Sequence, residues 1–156
     1  MIDWKFNPDD YNPDRFELVP PGDYRVRIEK AEEQTSRDKG YQMIKMTLKV
    51  SGYNGSIWHY MVFMNDSPDH IRMTNDNLGR IFDSFGIQQG DLNLEHWKGK
   101  VGAAAIKNEP DNKGNMRASV NYFIQREKQD SLPVWQEHRV AQINPDMVSP
   151  DAPIPF

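Results

Sequence analysis

The chain has 156 residues, no cysteine and a net charge of −4, which fits one domain with its ends and excludes disulfides, thiol catalysis and cysteine-ligated zinc. No apolar run approaches the roughly 18 residues of a membrane span. The start Met1-Ile2-Asp3-Trp4-Lys5 lacks the features of a signal peptide, so a soluble protein of the cell interior is expected. The acidity is concentrated at the ends: residues 1–16 carry −2 and residues 129–156 carry −3, whereas 17–128 carry +1. Because phosphate affinity follows local clustering of Lys and Arg, the total charge does not exclude a nucleic-acid ligand.

Residues 1–16 read as an N-terminal arm. A near-repeat, Asn7-Pro8-Asp9-Asp10-Tyr11 and Asn12-Pro13-Asp14-Arg15-Phe16, places turn-starting Asn-Pro pairs between aromatics. Trp4, Phe6, Tyr11 and Phe16 are expected to dock this arm on the domain. After the break at Pro20-Pro21-Gly22, Tyr24, Val26 and Ile28 alternate with Arg25, Arg27 and Glu29 as in a half-buried strand. Glu33 to Gly40 is polar and reads as a loop. A second strand runs from Tyr41 to Val50, with Ile44, Met46, Leu48 and Val50 on one face and Lys45, Thr47 and Lys49 on the other.

The third strand, Ile57 to Met64, is apolar or aromatic on both faces. Trp58 and Tyr60 are assigned outward, with Ile57, Met61 and Phe63 inward and His59 tolerated among them. A turn at Asn65-Asp66-Ser67-Pro68-Asp69 precedes a helix over 75–85, where Leu78, Ile81, Phe82 and Phe85 share a face and Gly86 ends it. Trp97 to Lys107 forms a fourth strand whose Gly102-Ala103-Ala104-Ala105 reads as a packing surface. The turn Pro110–Asn115 leads to a fifth strand, Met116 to Ile124, expected to set Ala118, Val120, Tyr122 and Ile124 against Arg117, Ser119, Asn121 and Phe123.

The fold class is therefore all-β with one helix, in the order β-β-β-α-β-β, which is the order of a five-stranded OB-type barrel. Residues 17–127 form that domain. Residues 128–156, poor in apolar groups and rich in proline towards the end, read as a flexible tail.

The stretch Phe16-Glu17-Leu18-Val19-Pro20-Pro21-Gly22-Asp23-Tyr24, then Lys39-Gly40, the strand ending in Val50, and Ile57-Trp58 together resemble a bacteriophage family. That family was long filed as a domain of unknown function and is regarded as OB-fold and single-stranded DNA-binding. The resemblance implies a role in phage replication or recombination, in the cytoplasm of the infected bacterial host. The final Ile154-Pro155-Phe156 resembles the tip of bacterial single-stranded DNA-binding proteins, which docks on replication and repair enzymes. The aspartate run usual there is missing, with Asp151 alone in the last six residues.

Sequence-tolerant binding of a single strand needs cations along the phosphates and aromatic faces for the bases. Arg25, Arg27, Lys45, Lys49, Trp58 and Tyr60, with Lys107, Lys113 and Arg117 around the last hairpin, supply both residue types. Each lysine has a bland reading as a solvated surface charge, and Trp58 and Tyr60 have one as core. No catalytic motif, metal-ligand spacing or cofactor signature is present, so no enzyme activity and no cofactor are expected. Two alternatives stay open: an OB module that binds protein or RNA, and a metal-dependent nuclease using Asp66, Asp69 and Asp76.

Overall fold

The structure, a computed structural model, describes residues 1–10 and 18–137. Five antiparallel strands form one sheet: β1 (Gly22–Thr35), β2 (Gln42–Val50), β3 (Ser56–Val62), β4 (Val101–Pro110) and β5 (Met116–Phe123), in the spatial order β3-β2-β1-β4-β5. One α-helix, α1 (Pro68–Phe85), lies between β3 and β4 in the chain. Class and element order are as the sequence predicts. The sheet is not closed: β3 and β5 approach one another, but no ladder pairs them among the described residues.

Alternating side chains give the sheet one apolar face. Val26 and Ile28 of β1, Met46, Leu48 and Val50 of β2, and Ile57 and Met61 of β3 are buried there. Ile81, Phe82 and Phe85 of α1 close over them, with Trp97 from the α1–β4 connection. Trp97 is fully buried, stacks edge-on against Phe82 and donates its indole N–H to the Asp91 carbonyl. It precedes β4 rather than opening it.

Two bulges set which side chains point where. Between Ile28 and Lys30 the β1–β2 register slips, so Glu29 is the extra residue and the buried positions continue at Ala31. Between β4 and β5, Ala105 faces Tyr122 while Ile106 faces Val120, leaving Asn121 extra. The face expected for β5 is thereby corrected beyond Val120: Phe123 turns into the core and Tyr122 turns out, 48% exposed.

The helix starts two turns earlier than its apolar spacing indicates. Ser67 caps it, its hydroxyl accepting the His70 N–H at 3.1 Å, and Pro68 occupies the first turn. This first half is fixed to the segment that follows β3 by a polar contact, the Met64 N–H donating to Thr74 Oγ1 at 3.1 Å, while Ile71 and Met73 remain exposed. At the other end Gly86 takes the left-handed conformation at φ +66° and the Ile87 N–H returns to the Phe82 carbonyl. β1 also runs further than expected, since Glu33, Gln34 and Thr35 pair with β2 instead of looping.

The small residues of β4 admit the helix. A methyl group at Gly102 would come within 2.8 Å of the Phe85 ring and 2.9 Å of the Ser84 carbonyl. Ser84 is fully buried and uses its hydroxyl twice on Ala103, donating to the carbonyl at 3.0 Å and accepting the N–H at 3.1 Å.

Trp4 and Phe6 are exposed, so the expected docking of the arm through them does not occur; Tyr11 and Phe16 lie outside the described residues. No helix among the described residues is long and apolar enough to cross a membrane.

Candidate nucleic-acid interface

Pairing of β1, β2 and β3 brings six of the predicted residues to one outer face. Lys45 lies opposite Tyr60, Thr47 opposite Trp58, and Arg27 opposite Lys49. Trp58 and Tyr60 are 61% and 45% exposed, whereas Ile57 before them and Met61 after them are 5% and 2% exposed. The outward assignment of the two rings follows from strand alternation. The Lys45 ammonium sits over the Trp58 ring, 4.7 Å from its centroid, a cation–π arrangement.

Arg25 and Arg27 share this face but are occupied. Residues 129–137, expected in a flexible tail, run as a strap across β1. Arg25 donates to the carbonyls of Pro133 at 2.7 Å and Gln129 at 3.1 Å. The Arg27 guanidinium forks onto the Glu137 carboxylate at 2.5 and 2.7 Å and also meets Glu29. Trp135 covers that guanidinium, 4.9 Å from ring centroid to Cζ, and its indole N–H donates to Glu137 at 3.0 Å. These bonds hold the Glu137 carboxyl down at about 2, through Arg27 first and Trp135 second.

The strap is tied at both ends. Gln129 is buried, and its amide donates to the Ser84 carbonyl, the Ser84 hydroxyl and the Ile124 carbonyl at 2.8–3.2 Å. The Gln136 N–H donates to the Ser51 hydroxyl at 2.8 Å, and its carbonyl accepts the Gly52 N–H at 3.1 Å. The sequence signal for the strap is slight: Leu132-Pro133-Val134-Trp135 is a short apolar interruption, and the glutamine anchoring it carries no hydrophobic signature.

Lys107 and Arg117 form a second group on the β4–β5 hairpin, where both flank Glu109 at 3.5 and 3.6 Å. Lys113 is at the hairpin tip, where Asp111 accepts the N–H groups of Lys113 and Asn115. No ion pair or hydrogen bond among the described residues joins this group to the β1–β3 face. Ile154, Pro155 and Phe156 lie outside the described residues.

Two of the three carboxylates of the nuclease alternative have other engagements. Asp66 accepts from Tyr41 at 2.6 Å and lies 2.5 Å from the His70 ring, which together hold its carboxyl at about 2. Asp69 pairs with Arg72 in solvent. Among the described residues no three His, Cys, Asp or Glu side chains are gathered to hold a metal ion.

His59, expected among the inward residues of the third strand, lies at the open seam. His59 points inward from β3 and meets Phe123 edge-on, ring centroids 5.0 Å apart. Burial holds its imidazole pKa down to about 4, so it is neutral at pH 7.

The model of one protein family matches residues 6–133, from within the arm to the middle of the strap. Its description is protein of unknown function (DUF669). The chain belongs to this family. The match covers all five strands and the helix, so the fold above is the family's domain as this chain carries it. No curated protein matches the chain.

Proposed function

We propose that this member of the family is a non-catalytic OB-type protein that binds single-stranded DNA in phage replication or recombination. The observation that carries the reading is the Lys45–Trp58 pair on the β2–β3 face, with Tyr60 and Lys49 beside it. An exposed indole 61% open to solvent, with a cation at its face, offers a base a stacking platform and a phosphate a counter-charge. In OB folds the second and third strands form the usual ligand face, and the element order here is consistent with that fold. The sequence resemblance to the phage family supports the same reading. With Arg25 and Arg27 engaged by the strap, Lys45 and Lys49 are the predicted cations of this face left to meet a phosphate, and those of the hairpin extend the surface.

The segment Ile154-Pro155-Phe156 is proposed to dock on replication or recombination proteins, on its resemblance to the docking tip of bacterial single-stranded DNA-binding proteins. A pull-down with full-length protein and a variant lacking residues 144–156 tests this; identical partner sets would remove the role.

Fluorescence anisotropy with single-stranded DNA, duplex DNA and RNA of one length tests the ligand. The expected order is single-stranded DNA well ahead of duplex. With roughly four phosphate contacts, log affinity against log salt should have a slope of about −3. Trp58→Ala should weaken binding by roughly 1–3 kcal/mol in a protein that remains folded. Equal duplex affinity or a flat salt response sinks the assignment, and preferential RNA binding would favour the RNA alternative.

A further inference from the structure

The open seam between β3 and β5 forms a groove of about 570 Å³ whose lining includes His59, Tyr60, Asn77, Arg80, Asn121 and Tyr122, within the size range of small-ligand sites. Its chemistry differs from that of the outer face. Tyr60 and Tyr122 are both about half exposed at its walls. Arg80 has no hydrogen-bond or ion-pair partner among the described residues, and the same holds for the side chains of Asn77 and Asn121. Neither ring nitrogen of His59 has such a partner either, although the ring is largely enclosed.

A stacking platform needs only aromatic faces and cations, and is indifferent to base identity. This groove adds groups that are not indifferent. A neutral imidazole offers one donor and one acceptor, and each amide offers both. Base edges are read by such groups, through donors and acceptors matched to one base and not to another. Arg80 also borders the adjoining depression, about 230 Å³, with Lys128, Asp23 and Gln125. Two cations against one carboxylate make that side suitable for a phosphate.

The groove is also continuous with the proposed DNA face. Tyr60 follows Trp58 on the same side of β3, two residues or about 6.7 Å along the strand, and Tyr60 lines the groove. We infer that the seam is a single-nucleotide subsite: one nucleotide of the bound strand leaves the Trp58 face past Tyr60, its base edge meets His59, Asn77 and Asn121, and its phosphate meets Arg80. This rests on the single-stranded DNA reading and adds a base preference that stacking alone would not impose.

The test compares affinities for dT20, dC20 and dA20 at one salt concentration. The wild-type protein should show at least a fivefold spread between the best and poorest. His59→Phe, which keeps a ring against Phe123, and Asn121→Ala should each compress the spread to within twofold while the poorest oligomer binds as before. Arg80→Ala should weaken all three alike, by three- to tenfold. Circular dichroism reports folding, and Asn121 is exposed, so Asn121→Ala carries the test if His59→Phe does not fold. A wild-type spread below twofold, or an unchanged spread in the folded variants, overturns the subsite. If Trp58→Ala weakens binding while the seam variants behave as wild type, the outer-face reading stands and the subsite falls. Absence of binding to any of the three oligomers removes both.

Discussion

Burying His59 as a neutral ring makes the stability of the protein depend on pH in a window where few other groups titrate. The folded imidazole has a pKa of about 4, against about 6.5 in an unfolded chain. Between these values the unfolded state binds the extra proton, so stability rises with pH through the window and is lost as pH falls. From pH 7 to 4.5 the linkage integral gives a loss of roughly 2 kcal/mol. Urea unfolding at the two pH values should therefore show a midpoint about 1 M lower at pH 4.5, for a slope of roughly 2 kcal/mol per M. Carboxylates held low, such as those of Asp66 and Glu137 at about 2, lose stability in the same direction as pH falls, but mainly below pH 4.5. The decisive comparison is with His59→Phe, which retains an edge-on ring against Phe123 and carries no proton. Its pH 7 to 4.5 loss should be smaller than that of the wild type by the roughly 2 kcal/mol assigned to the imidazole. Equal losses in the two proteins would show that His59 titrates normally and is not held neutral by the fold.

Gly102→Ala should destabilise the protein by about 1–3 kcal/mol, because its methyl group meets the Phe85 ring and the Ser84 carbonyl at under 3 Å; a thermal melt unchanged from wild type would show that α1 shifts without cost. Gln129→Ala leaves the buried Ser84 and Ile124 carbonyls short of a donor, a loss of about 1–3 kcal/mol. Limited proteolysis should then cut within residues 130–137 sooner than in wild type, and equal cutting times would show that the strap does not depend on this anchor. Glu137→Gln removes the carboxylate that forks Arg27. Freed for a phosphate, Arg27 should steepen the salt slope for single-stranded DNA by about 0.7, and an unchanged slope would place Arg27 off the DNA path.

The strands were legible in the sequence because one face of each is apolar at every second residue, as in Ile44, Met46, Leu48 and Val50. Alternation also oriented β3, since Ile57 and Met61 buried leave Trp58 and Tyr60 outside. What alternation cannot carry is an extra residue. The bulge at Asn121 reverses the parity of β5, and nothing in Val120-Asn121-Tyr122-Phe123 marks the slip, because all but the Asn are plausible core. The first two turns of α1 escaped notice because Thr74 and the Ser67 cap hold them, not an apolar stripe. The cationic face was partly legible: residue type and strand placed Arg25 and Arg27 there, but their engagement by Glu137 and by carbonyls of residues 129–133 depends on a chain crossing over a hundred residues later. Polar anchors such as Gln129 act through geometry, which composition does not record.

The central position of β1 has a consequence for how the chain reaches this structure. β1, β2 and β3 form a meander of neighbours in sequence, and β4 and β5 form a hairpin. Among the described residues a single ladder joins the two halves, residues 22–27 of β1 with residues 101–106 of β4, more than seventy residues apart. Local pairings close quickly, whereas a distant one waits on the entropy of the long loop. The meander with its helix and the hairpin are thus two locally encoded pieces, and their docking along that ladder is the expected slow step of folding. Fragments divided near Gly90, in the turn after the helix, should on mixing recover the native near-ultraviolet dichroism with a rate that depends on concentration. Recovery of that signal by one fragment alone would show that the ladder is not what joins the halves.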